Sequence, residues 1–175
     1  TLELSSAASD VYKRQITTPI FDKLIDDKTK STKITKTKCD ILFLEGWCCG
    51  SSEIPKKILH KNINNLEKIK YPKYQWRNFY NNKLKLEYKK LFKLFDELIF
   101  LKTSSFDNVF KWRLKQEKTN QSKNKKSKRM TSNEIKYFVQ HYEKITKWMM
   151  KDLNKKAQIV IKFEKNHKIS SINFN

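Results

Sequence analysis

The chain has 175 residues, a length that suits one folded domain with its own core and leaves little room for a second. Lys and Arg number 39 against 18 Asp and Glu, and the resulting charge of +21 ordinarily points to nucleic acid or an anionic membrane surface. Only four of the cations are Arg (Arg14, Arg77, Arg113, Arg129), whereas readers of phosphate and base edges favour the bidentate guanidinium. With Asn abundant and only two Gly, the lysine excess is either functional charge or coding bias toward Lys and Asn.

The three cysteines, Cys39, Cys48 and Cys49, are odd in number, and none is in C-x-x-C spacing. That argues against a disulfide framework and against a zinc site, and it fits a reducing, cytoplasmic setting. No run approaches the roughly 18 to 20 apolar residues that a membrane helix needs, and the start lacks the apolar core of a secretion signal. Its "LSSAASDVYKRQ" instead reads as translated adapter sequence of the kind found at the ends of assembled metagenomic reads. Residues 1–15 are therefore set aside, and the natural N-terminus is expected to be missing.

Residues 16–38 are polar and read as loop, with a short strand or turn around 19–21. In "CDILFLEGWCCG" the run Ile41, Leu42, Phe43, Leu44 is too short for a helix and free of Pro and Gly. It predicts a buried strand over 39–45, covered on both faces as parallel strands are. From 75 to 95 the apolar residues recur at helical steps. A strand is expected at 97–102, and Ser104 or Ser105 then caps a helix carrying Phe106, Val109, Phe110 and Trp112. Residues 115–129 contain no apolar side chain and so have nothing with which to pack. "TSNE" at 131–134 has the spacing of a capping box and opens a helix with Ile135, Phe138, Val139, Tyr142, Ile145, Met149 and Leu153 along one side. Strands are expected at 157–164 and 168–174. Alternating strands and helices predict an α/β layer fold with a largely parallel sheet.

Ligands of a parallel sheet gather beyond the carboxyl ends of its strands, where Glu45 would stand. Beside Gly46, which lacks a Cβ, this carboxylate either orients a Mg²⁺ ion near nucleotide phosphates or simply leaves the sheet into solvent. His141 is assigned no catalytic role, and His60 and His167 have no metal-ligand partners at suitable spacing. Trp76, Trp112 and Trp148 fall in helical patterns and read as packing residues, Trp76 with the option of bordering a pocket beside Arg77.

Several motifs in order resemble one family: "PIFDK…DDK" at 19–28, "CDILFLEGWCCG" at 39–50, "NNLE" at 64–67 and "WRNFYN" at 76–81. "SFDNVFKWRLKQE" at 105–117 and "MTSNEIKYFVQHYEKITKWM" at 130–149 continue the series. The family is the D-glycerate 3-kinase-like P-loop kinases, related to phosphoribulokinase and uridine kinase. The resemblance implies a P-loop NTPase-like α/β fold, with a partly parallel sheet and flanking helices, that uses ATP and Mg²⁺ to phosphorylate a hydroxyl of a small metabolite. It also implies that Glu45 is the Mg²⁺-associated carboxylate, acting through water, with Gly46 on the active-site floor and Trp47 shaping the pocket. Phe21, Asp22 and Lys23 would face the acceptor, unless Asp22 and Lys23 are only a solvated pair on a loop. A lid at 115–130 would carry positive charge from Arg113 and Arg129 onto the phosphates; its lysines, Lys123, Lys125, Lys126 and Lys128, read as a solvated run.

The sequence departs from that family in three ways. No G-x-x-x-x-G-K-[ST] loop exists in it, so residues 16–175 are expected to be the C-terminal part of a single kinase domain whose first strand and phosphate loop are absent, and to be inactive alone. "DDK" replaces a more usual "DDR", and "SSEIPKKILHKN" at 51–62 lacks the expected small and apolar pattern, which leaves D-glycerate open as the acceptor. The rival reading is a basic helical protein that binds nucleic acid non-specifically through lysines, with no chemistry. The kinase reading expects no specific nucleic-acid partner and no membrane, and leaves the oligomeric state open.

Overall fold

The computed structural model describes residues 15–22, 27–36, 40–123 and 130–175. Lys23, Cys39 and Arg129, together with the segment set aside at 1–14, lie outside the described residues. The chain divides into two compact units, Thr1–Gly46 and Trp47–Asn175.

In the first unit, β1 (Gln15–Asp22) pairs antiparallel with β2 (Asp27–Lys36), Thr17 opposite Ile34 and Phe21 opposite Lys28. A hairpin thus replaces the loop expected over 16–38. Its strands are rich in Thr and Ile, which favour the pleat, but in β2 these alternate with Lys, and neither strand has an apolar face to signal burial. Residues 40–46 form no strand, and Ile41, Leu42, Phe43 and Leu44 are all exposed, Phe43 by 80%. The expected buried strand is therefore corrected. Strand propensity is local, whereas burial requires neighbouring strands, and no described strand pairs with this segment.

The second unit builds its sheet from β3 (Ile99–Thr103), β4 (Ile159–Phe163) and β5 (Ile169–Phe174), in the order β3-β4-β5. β3 and β4 are parallel in the register Ile99 opposite Ile159, whereas β5 turns back antiparallel on β4. The sheet is therefore mixed and not largely parallel. The tight turn from β4 to β5 allows only an antiparallel return, while β3 reaches β4 through a helical crossover. That crossover is α4 (Phe106–Lys123) and α5 (Ser132–Lys156). α4 continues helically to Lys123, well into the apolar-free stretch, because Lys, Gln and Glu are good helix formers even without a packing face.

α5 is the organising helix. Thr131 Oγ1 accepts from the backbone N–H of Glu134, and Glu134 Oε2 accepts from that of Thr131, closing the predicted capping box. Lys155 and Lys156 complement the dipole at its other end. Its buried Ile145, Met149 and Leu153 meet Phe100 and Val160 of the sheet, with Ile54, Leu59 and Leu84 from the preceding loop and helices, in one apolar core. Those helices are α1 (Lys56–Leu59), α2 (Gln75–Lys83) and α3 (Lys89–Phe92). A π turn (Leu84–Tyr88) joins the last two, so the helix expected at 75–95 exists with a widened middle and ends at Phe92.

Candidate functional site

The carboxyl ends of the parallel pair β3 and β4 open into a cleft of about 370 Å³, lined by Ser104, Phe163, Glu164, Lys165, Asn166 and Ser170. Its floor is fixed from the side of β3. The buried Asn108 amide donates to Thr103 Oγ1 at 3.1 Å and Ser104 Oγ at 2.9 Å, so the first turn of α4 holds the strand-to-helix loop in place. From the side of β4, Trp112 donates its indole N–H to the Lys165 carbonyl at 3.0 Å and stacks on His167 with ring centroids 4.4 Å apart. His167 takes a positive φ of 67° in the β4–β5 turn. Trp112 reads as a packing residue from its helical pattern; the ring it covers lies 55 positions along the chain, out of reach of any periodicity.

Arg113 follows Trp112 on α4. Its guanidinium pairs with Glu117 at 2.8 Å and donates to Gln116 Oε1 at 3.2 Å. Glu117 also accepts from the backbone N–H of Met130 at 3.4 Å, so one carboxylate links Arg113 to the residue just ahead of α5.

Trp47 opens the second unit. Its indole N–H donates to Thr146 Oγ1 at 2.9 Å and its ring stacks on Tyr142 with centroids 4.6 Å apart, which pins it to α5. Gly50 ends the turn that follows, with φ +79°; a Cβ there would come within 2.8 Å of Leu98 Cδ1. Between them, burial and the adjacent Cys49 push the Cys48 thiol up to about 11. Glu45 and Gly46 belong to the first unit, both exposed, and so does Phe21, 56% exposed on β1 beside Asp22.

The second unit also holds a buried ionic cluster, unforeseen in the sequence. Glu67, in a π turn (Leu66–Lys70), pairs with Arg77 at 3.4 Å and Lys144 at 3.2 Å, and accepts from the Ile63 backbone N–H at 3.0 Å. All three side chains are at least nine-tenths buried. Lys144 further donates to the carbonyls of Ile58 and Lys61, and Arg77 to those of Leu59 and Tyr71, so two cations satisfy four backbone acceptors. Burial lowers the Lys144 ammonium, an effect that Glu67 opposes. Asn64 ties the cluster to α5 through the Gln140 carbonyl and Glu143 Oε2, both at 3.0 Å. "NNLE", "WR" and the lysine of "YEKIT" thus meet in three dimensions as an ion-paired brace.

No helix is long and apolar enough to cross a membrane, and no group of three His, Cys, Asp or Glu able to hold a metal occurs, both among the described residues. No family model and no curated protein matches the chain. Among solved structures, D-glycerate 3-kinase from Cryptococcus neoformans var. grubii is similar over 98% of this chain, with 17% identity and a TM-score of 0.78. The YGR205w protein is similar over 97%, with 21% identity and a TM-score of 0.64. This chain spans 65% of the first protein's length and 62% of the second's. Over nearly its whole length, the chain has the mixed α/β fold of these two structures.

Proposed function

We propose that these residues belong to an ATP-dependent small-molecule kinase that passes the γ-phosphoryl group to a hydroxyl of a small metabolite, D-glycerate being the first candidate. The observation that carries the reading is the likeness to D-glycerate 3-kinase over 98% of the chain. The cleft at the carboxyl ends of β3 and β4 supports it, because ligands of parallel strands collect there.

Phosphoryl transfer needs positioning and charge neutralisation more than covalent chemistry, and the site residues divide along those lines. Arg113, held by Glu117 on α4, is assigned the positive charge offered to the phosphates, and Arg129, on the far side of a lid over 115–130, is assigned more. Following the family resemblance, Phe21, Asp22, Lys23 and Gly46 are assigned to the acceptor, as is Trp47, which is fixed on α5. Mg²⁺ fits this donor set as an ion that keeps its own water: a single carboxylate, Glu45, agrees with the one or two that Mg²⁺ takes alongside nucleotide phosphates. Held through water by Glu45, the ion would supply positive charge that offsets the phosphates. Glu45 orients one of its waters. The phosphate-cradling loop, for which these 175 residues hold no G-x-x-x-x-G-K-[ST] run, is assigned to polypeptide outside them.

A coupled assay with ATP, Mg²⁺ and a panel of small hydroxy acids tests the reading. The chain alone is expected to give no turnover. The same chain extended upstream through its own reading frame is expected to turn over, and Arg113→Ala in it to lower kcat at least about hundredfold. Turnover by the short chain, or an extended chain that neither binds ATP nor turns over, contradicts it.

A further inference from the structure

Away from the strand ends, a groove of about 610 Å³ runs between the Leu66–Lys70 turn and α2, lined by Lys70, Tyr71, Lys73, Trp76 and Phe79, with Pro72 and Gln75. Trp76 and Phe79 stand three apart on α2, so they share a face; their rings lie 5.6 Å apart and 19° from parallel, each 54% exposed. Tyr80 backs Trp76 edge-on and itself packs against the core, which fixes the platform from behind. The groove lining includes no carboxylate. Lys70 is held over the Tyr71 and Tyr137 rings and donates to Tyr137 Oη at 2.8 Å, a neutral partner that leaves its charge uncancelled. Lys83 also lies over the Phe79 ring, with its own charge paired to Glu87.

Parallel aromatic faces beside the uncancelled Lys70 ammonium, on a chain of charge +21, match a ligand that alternates flat rings with negative charge. A second copy of the chain, with the same charge, is repelled. We infer that this groove binds single-stranded nucleic acid without sequence preference, bases stacking on Trp76 and Phe79 while Lys70 and Lys73 take the flanking phosphates. The site is independent of the kinase reading, since it shares no residue with the cleft at β3 and β4.

The test titrates the chain with a labelled oligothymidylate and with an abasic deoxyribose-phosphate strand of equal length and charge, at one salt concentration. The thymidylate is expected to bind at least about tenfold more tightly. Trp76→Ala with Phe79→Ala, a change that leaves the charge intact, is expected to abolish that difference. Photocrosslinking of a bromouracil-containing strand to the unaltered chain is expected to map to residues 70–79, and gives a readout that needs no variant. Equal affinity for the abasic strand identifies simple polycation attraction and overturns the inference. Equal competition by polyglutamate identifies an acidic protein partner and overturns it too, as do crosslinks that map elsewhere.

Discussion

Glu67 faces two cations in a space closed to water, and each cation also holds backbone carbonyls. Deleting the shared anion would leave two buried charges uncompensated. Glu67→Gln is therefore expected to cost about 3 to 5 kcal/mol in urea unfolding, far more than loss of an exposed ion pair such as Lys83–Glu87. Cys48 offers a separate check. Because its folded thiol titrates near 11 against an ordinary 9.0, the stability it contributes is full below pH 9 and is lost as pH rises toward 11. Tyr80, raised by burial and then by Glu67, acts in the same direction above pH 10, while the lowered Lys144 acts in the opposite one. The urea midpoint is expected to fall between about pH 9 and 11, and Cys48→Ala to make that fall shallower; parallel slopes would contradict the assignment. At this scale the sequence was least informative. "NNLE", "WRNFYN" and "YEKIT" were visible as words, but a contact between Glu67 and Lys144 is made by the packing of a π turn on α5, and no local pattern records it.

Elements were read best where the signal is local. The capping box at Thr131 is complete in four residues, and its helix follows from the apolar stripe that the core buries. Thr131→Ala removes the hydroxyl that accepts from Glu134 and is expected to cost about 1 kcal/mol, seen as a lowered thermal midpoint with native helicity retained; an unchanged midpoint would mean that the box contributes nothing. β4 and β5 were legible for a similar reason, being short β-rich runs bounded by "EKNH". In the second unit, α4 runs to Lys123 through a stretch read as having nothing with which to pack; the other failures at this scale lie in the first unit. Alternating Thr and Lys concealed the hairpin, because the expected sign of a strand was an apolar face. The apolar run at Ile41–Leu44 produced the opposite error: its composition is that of a covered strand, but the described sheets supply no neighbour to cover it.

For the whole molecule, the α/β character was legible from the alternation of patterns, and the direction of the last strand was not, since it depends on the length of a turn. The fold is that of two structures each about half as long again as this chain. The proposed kinase reading assigns Glu45, at the end of the exposed run at 41–44, the orientation of the metal's water. The most direct measurement is kcat at saturating Mg²⁺ and ATP for the chain completed along its own reading frame, with Glu45 or with Glu45→Gln. The account predicts a fall in kcat of at least about hundredfold in the variant, with an unchanged melting temperature. Equal kcat for the two proteins would contradict it.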